Sequence, residues 1–191
     1  NKNRLSKDIV PIIQKYIDDN NCKNYFEPFV GGANIIDKIK CKNKYGSDIN
    51  KYLIALLKQV QNDVSVLPNT ITEEEYKKVK NNIDKYEDWY VGAVGFCSSY
   101  GGKFFNGYAR SKKNDGLTPR DMSNERIKNL IRQSSNFKNI EFYNKSFLDV
   151  IDIENYVIYC DPPYKGTTKY NIEDFPYDKF YNWCREKSKN N

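Results

Sequence analysis

The sequence predicts an α/β fold: a mostly parallel sheet interrupted by a basic, largely helical insertion. Three observations carry that expectation. The first 60 residues read helix, strand, helix, strand, helix, an order that gives parallel pairing. Strand-like runs return at Ile140–Tyr143 and Tyr156–Cys160. Between the two parts, residues 76–135 hold 12 Lys/Arg and 6 Asp/Glu, whereas the remainder holds 19 of each. The whole net charge of +6 therefore sits in one central segment. Residues 1–62 and 137–191 form the expected core, and residues 63–136 the insertion.

Element by element, Ile9 to Ile17 has Ile9, Ile12, Ile13, Tyr16 and Ile17 at helical spacing, with Pro11 expected in or near the first turn. Tyr25–Val30 is a short strand stopped by Gly31-Gly32, and Ala33–Ile39 is the helix after it. Lys44–Gly46 is a second strand that delivers Asp48. Lys51–Gln61 is a helix whose inner face is Leu53, Ile54, Leu56, Leu57 and Val60. Glu73–Tyr86 predicts a charged helix and Trp89–Tyr100 an apolar one. Gly101–Pro119 has no period and predicts a loop. Asn124–Asn136 is a helix with Ile127, Leu130 and Ile131 on one face and Ser123 as N-cap. Tyr156–Cys160, mostly β-branched and aromatic, predicts a buried strand. Only one helix, about Tyr177–Lys189, follows Tyr164, so both ends are expected to be trimmed and C-terminal strands to be missing.

Composition removes several function classes. No apolar run approaches the roughly 18 residues of a membrane helix, and Asn1–Lys7 is too polar for a secretory signal. Mean hydropathy is -0.82, in keeping with a polar surface. Five cysteines lie far apart without a CxxC pair, which suits reduced thiols in a cytoplasmic protein. Histidine is absent. That excludes Ser-His and Cys-His catalysis and the commonest metal ligand, so no metal is expected. No GxxxxGK[ST] loop is present, which argues against a nucleoside triphosphate.

The most informative residues are Asp161-Pro162-Pro163-Tyr164, at the end of the last strand. Two prolines cannot continue a sheet. The strand therefore stops and presents a carboxylate, a carbonyl and a ring at the carboxyl edge, where open α/β sheets bind ligands. Such a set suits a planar base with an exocyclic amine. Glu27-Pro28-Phe29-Val30-Gly31-Gly32 gives a strand–glycine turn through which backbone approaches a nucleoside or carboxylate closely. Asp48, 16 residues beyond Gly32, stands where an acid accepts both ribose hydroxyls of a nucleoside cofactor. In the basic segment, Lys103, Arg110, Lys112 and Lys113 suit phosphate contact. Tyr100, Phe104, Phe105, Asn106 and Tyr108 suit base contact, with Arg110 or Tyr108 placed to read or displace bases.

These residues carry a family resemblance. EPFVGG at 27–32, SDIN at 47–50, SYGGKFFNGYAR at 99–110, YCDPPYKGTTKY at 159–170 and the opening NKNRLSKDIVPII resemble the Dam-like (D12 class) DNA adenine-N6 methyltransferases, most of all their phage-type branch. The resemblance implies a Rossmann-like class I methyltransferase sheet in which the core binds S-adenosylmethionine and the insertion recognises the target. It implies transfer of a methyl group to the N6 amine of an adenine flipped out of double-stranded DNA, with S-adenosylhomocysteine as product. A GATC-like target and a restriction-modification setting go with it, as does a monomer in the cytoplasm of a bacterial or phage-infected cell. Carried over residue by residue, Phe29, Gly31 and Gly32 match the cofactor loop, with Glu27 and Pro28 leading into it. Asp48 matches the ribose acid, Ile49 the adenine neighbour and Lys2 the lysine near the methionine end. Asp161 and the Pro162 carbonyl match the acceptors for the target amine, followed by Pro163, and Tyr164 matches the stacking ring. Ala33 stands where the family often has a further glycine, and Ser146-Phe147 where it often has an acid before an aromatic at a cofactor contact. Ser146, Phe147 and Asp161 are thus also expected beside the cofactor, with Ser146 a weaker acceptor than a carboxylate. Two other readings stay open: a non-catalytic or fragmentary DNA- or cofactor-binding module, and the same chemistry on an RNA adenine or a protein amide.

Overall fold

The computed structural model describes residues 2–112, 115–150, 153–164 and 175–191. In chain order its elements are α1 (Lys2–Asp19), β1 (Asn24–Glu27), β2 (Asn43–Asp48), α2 (Lys51–Asn62), α3 (Glu73–Lys80), α4 (Asp88–Cys97), α5 (Met122–Ser134), β3 (Ile140–Asn144), β4 (Tyr156–Ile158) and α6 (Tyr177–Lys187). They divide into two compact units, Asn1–Ile49 with Asn139–Asn191, and Asn50–Lys138.

The first unit holds a four-stranded sheet in the order β3-β2-β1-β4, with every pairing parallel. This is the expected Rossmann-like α/β arrangement. β1 is flanked on both sides, with Phe26 opposite both Tyr45 and Ile158. Alternation then sends Tyr25 and Glu27 to one face and Phe26 to the other, and all three are buried. A Cβ on Gly46 would lie 2.8 Å from a Val30 methyl and 3.3 Å from the Phe142 ring. Glycine there lets the segment leaving β1 fold back over β2. On the Phe26 face, Phe147, Phe180 and Trp183 complete a buried cluster. Phe29 meets Phe147 and Phe180 at centroid distances of 5.5 Å each.

Several element boundaries differ from the sequence expectation. α1 is longer, and Pro11 lies inside it rather than in its first turn. The proline sits on the exposed face, as does Lys7 four residues earlier, so water can satisfy the carbonyl that the missing N–H leaves. Ile12 and Tyr16 also point outward. Ala33–Ile39 forms only a single 3-10 turn at Ile36–Lys38. Ala33 is left-handed, with φ 54°, which a helix beginning there cannot accommodate, while Ile35, Ile36 and Ile39 are all buried. β4 ends two residues early and is half-buried, because it is an outer strand of this sheet. Its ladder continues one bond further, through the Tyr159 N–H to the Phe26 carbonyl at 2.9 Å.

In the second unit, α2 buries its five predicted apolar residues. Asn50 caps it by accepting the Tyr52 and Leu53 N–H groups. α3 stops at Lys80, before the expected Tyr86, where the Asn82 amide bonds the Lys78 carbonyl at 2.9 Å and ends the helix. The cap of α5 is Asp121, not Ser123. Ser123 is buried in the first turn, where its hydroxyl accepts the Ile71 N–H at 3.0 Å. α4 packs on α2 so closely that a Cβ on Gly92 would come within 2.2 Å of the Tyr52 carbonyl oxygen. Gly92→Ala is therefore expected to force the two helices apart, costing about 1–3 kcal/mol. A melting curve would register this as a fall of several degrees in the thermal midpoint.

Candidate active site

Parallel pairing brings the carboxyl ends of β1, β2 and β4 to one edge of the first unit. There the glycine segment after β1 is tied to the end of β2. The Val30 N–H donates to the Ser47 carbonyl at 2.8 Å, and the Gly31 N–H donates to Asp48 Oδ2 at 3.3 Å. The Asn144 side chain, at the end of β3, donates to the Asp48 and Ile49 carbonyls at 2.9 Å each. Asp48 is thus held half-buried, beside an Ile49 that is 78% exposed. Gly31 has φ 50° and nothing within 4 Å of where a Cβ would stand. The result is an open cradle of backbone with a carboxylate on one side and an apolar side chain beside it.

Glu27, also predicted at this site, is 2% exposed. Its carboxyl accepts the Tyr25 hydroxyl at 2.7 Å. Burial pushes its pKa up to about 8; the Tyr25 bond opposes that rise, while Asp37 and Asp161 add to it. Glu27 is therefore buried and paired within the sheet rather than presented at its edge.

At the end of β4, Asp161 is half-buried and Tyr164 is 57% exposed. The Tyr164 hydroxyl donates to Asp161 Oδ1 at 2.7 Å. The Pro163 carbonyl accepts the Tyr177 hydroxyl at 3.1 Å, so the first residue of α6 holds this corner. Phe147 is buried in the aromatic cluster with Phe29. Ser146 is committed to a capping box: its hydroxyl accepts the Leu148 N–H, and Asp149 accepts the Ser146 N–H. Its oxygen is thus occupied by the local turn. Lys2 opens α1, but its side chain lies outside the described residues, as does Lys113.

The remaining predicted residues lie in the second unit, on the segment after α4. The Tyr100 N–H bonds the Gly107 carbonyl at 2.8 Å, and the Ala109 N–H bonds the Ser98 carbonyl at 2.7 Å. These bonds close a loop in which Gly101, Gly102, Phe105 and Gly107 all have positive φ. Tyr100 and Asn106 are exposed on it, and Lys103 is half-buried. Phe104 and Phe105 instead turn inward: Phe104 stacks on Tyr52 at 5.1 Å and Phe105 meets Tyr76 at 5.2 Å. The Tyr108 hydroxyl donates to the Ile71 carbonyl at 2.8 Å, so it anchors the loop. Exposed Arg110 pairs with Glu73, and Lys112 is exposed. Sequence reading missed Tyr177, Glu73 and Arg126. Arg126 reaches the carbonyls of Cys97 at 3.1 Å and Ser99 at 2.5 Å, at the root of the loop. Tyr177 and Arg126 act on partners at least 14 residues away, as Glu73 does on Arg110, a separation at which spacing carries no signal.

The model of one family, the D12 class N6 adenine-specific DNA methyltransferases, matches residues 6–183. The chain belongs to this family. It is also similar to the type II methyltransferase M.MjaIII of Methanocaldococcus jannaschii, with 29% identity over 196 residues that cover 88% of this chain and 68% of the relative. The methyltransferase is thus an enzyme of site-specific adenine-N6 methylation of DNA, and its family implies S-adenosylmethionine as methyl donor. Among the described residues, no helix is long and apolar enough to cross a membrane.

The raised Glu27 pKa has a direct consequence for stability. Between its ordinary value near 4.5 and about 8, the folded chain holds a proton that the unfolded chain releases. Its contribution is fully present below that window and is lost as pH rises through it. Glu27→Gln keeps an acceptor for Tyr25, and its thermal midpoint should decline less than wild type between about pH 5 and 8. Melting curves across that range test this, and parallel declines would reject it.

Proposed function

We propose that the edge formed by Gly31, Asp48 and Asp161 is where donor and target adenine meet, and that the Asn50–Lys138 unit supplies the contacts to duplex DNA. The observation that carries this reading is the Gly31–Asp48 hydrogen bond. It makes one cradle of two motifs that are separate in sequence, on the same sheet edge as Asp161.

The residues fit S-adenosylmethionine. The open space at Gly31 admits close approach of a ligand to backbone. Asp48 offers carboxylate oxygen to ribose hydroxyls. Ile49 offers exposed apolar surface to a purine. Phe29 and Phe147 shape the floor from within the aromatic cluster, and Gly32 and Pro28 fix the turn. The bound donor supplies a sulfonium methyl group, an electrophile that needs no further activation. No step here requires a metal.

What the chain must do is sharpen a poor nucleophile, since an exocyclic amine delocalises its lone pair into the ring. The Asp161 carboxylate and the Pro162 carbonyl accept its two N–H bonds. That draws the nitrogen toward tetrahedral geometry and localises the lone pair. No described residue bonds the Pro162 carbonyl, whereas that of Pro163 is held by Tyr177. The Asp161 carboxylate, which accepts the Tyr164 hydroxyl at Oδ1, still has acceptor capacity for the amine. In-line alignment then supplies roughly 7–11 kcal/mol. The amine becomes acidic only once methylated, so its proton passes to Asp161 or water without a histidine. Flipping the adenine out of the duplex costs a few kcal/mol, and stacking on Tyr164 returns roughly 1–3 kcal/mol. Lys103, Arg110, Lys112 and Lys113 hold phosphate, with Asn106 and Tyr108 beside them; a GATC-like target suits this family.

Transfer of tritiated methyl from S-adenosylmethionine to duplex DNA tests the reading. Asp161→Ala should fall at least about 100-fold in rate while retaining cofactor binding, as expected for a group acting mainly in the transition state. Equal labelling by wild type and variant would sink it. Asp48→Ala removes both the ribose acceptor and the tie to Gly31. Calorimetric titration with S-adenosylhomocysteine should show its affinity weakened about tenfold or more.

A further inference from the structure

Glu73 opens α3 and lies among cations. Arg110 Nη2 is 2.5 Å from Glu73 Oε1, and Lys77 Nζ is 2.9 Å from the same oxygen. Both cations are largely exposed, with side chains at 70% and 67%, while that of Glu73 is at 29%. On its other side, the Arg110 guanidinium carbon stands 6.0 Å from the centroid of the Tyr108 ring. Tyr108 is itself fixed by its bond to Ile71. Lys77 and Arg110 hold the Glu73 carboxyl below the usual carboxylate range, so it stays ionised wherever the enzyme is studied. A single carboxylate thus restrains two exposed cations within the most basic segment of the chain.

We propose that Glu73 is a specificity-determining residue, which holds Arg110 against Tyr108 and keeps Arg110 and Lys77 from closing on any passing phosphate. The proposal rests on the reading of the Asn50–Lys138 unit as the DNA-binding part. Phosphate contact is indifferent to sequence, whereas base contact is not. An ion pair at the surface is weak, so duplex DNA can break it, but each non-specific complex bears the loss. Where base edges also engage Arg110, the loss is recovered. Without the carboxylate, both cations bind backbone freely, and the gap between correct and incorrect sites narrows.

The test uses the full chain and the variants Glu73→Gln, Glu73→Ala and Arg110→Ala, with matched melting curves. Fluorescence anisotropy on a labelled random-sequence duplex of about 20 base pairs, between about 50 and 200 mM salt, reads non-specific affinity. Sequencing of methylated adenines on plasmid DNA reads discrimination. Both Glu73 variants should bind the random duplex about 3–10-fold more tightly at low salt. Their salt slope should steepen by about two, as for two added phosphate contacts, and methyl groups should appear at positions that wild type leaves bare. Wild-type slope and methylation pattern in the Glu73 variants, beside weakened DNA binding by Arg110→Ala, would overturn the role of Glu73 and leave the DNA reading intact. Wild-type binding and methylation by Arg110→Ala would remove the DNA reading on which it rests.

Discussion

The parallel pairing of β1 with both of its neighbours is the constraint on which the rest of the first unit depends. β1 is only four residues long, yet β2 and β4 lie on either side of it. Because all run the same way, the segments that leave them emerge together. Register matters as much as direction, because a slip of one residue would exchange the two faces of β1. Glu27 and Tyr25 would then face the aromatic cluster, and Phe26 their polar surroundings. Gly46 adds the last requirement, since any side chain there would strike Val30 and lift the glycine turn away from Asp48.

From that arrangement the site gains rigidity through main-chain bonds rather than through a dense polar network. Gly31, Val30 and Asn144 tie the ends of β1, β2 and β3 together. Beneath them, Glu27 is buried with Tyr25. An acid there has a cost, and the chain meets it by favouring the protonated form. On the opposite face of β1, the aromatic cluster receives α6, whose first residue steadies the corner after β4. This division suits a reaction whose demands are alignment and hydrogen-bond acceptance. A site without histidine can satisfy both, because the target amine sheds its proton only after the bond has formed.

The second unit uses a different device. Its loop after α4 is built from left-handed residues and closed by two backbone bonds. Arg126 and Tyr108 fix its root to neighbouring backbone. Such a loop keeps its form while leaving Tyr100, Asn106 and Arg110 exposed. The aromatic residues that composition offers for base contact divide in consequence. Tyr100 stays outside, while Phe104 and Phe105 are needed to hold the loop in place.

Read alone, the amino-acid order determined the fold class and the motifs at the ends of β1, β2 and β4, but not the connection between β1 and β2, where the expected helix is a single 3-10 turn. These are local signals: apolar period, prolines that stop a strand, glycines in a turn, an acid after a strand. The helical face of α2 was legible residue by residue for the same reason. The tertiary structure alone decided how those residues are spent. It committed Ser146 to a capping box, gave the α5 cap to Asp121, buried Glu27, and set the Tyr164 hydroxyl on Asp161. It also carried α1 through Pro11, because the exposed side of a helix tolerates a lost bond. The physical reason is common to all. A hydrogen bond or a buried contact depends on which distant group arrives within about 3 Å, and periodicity along the chain does not encode that.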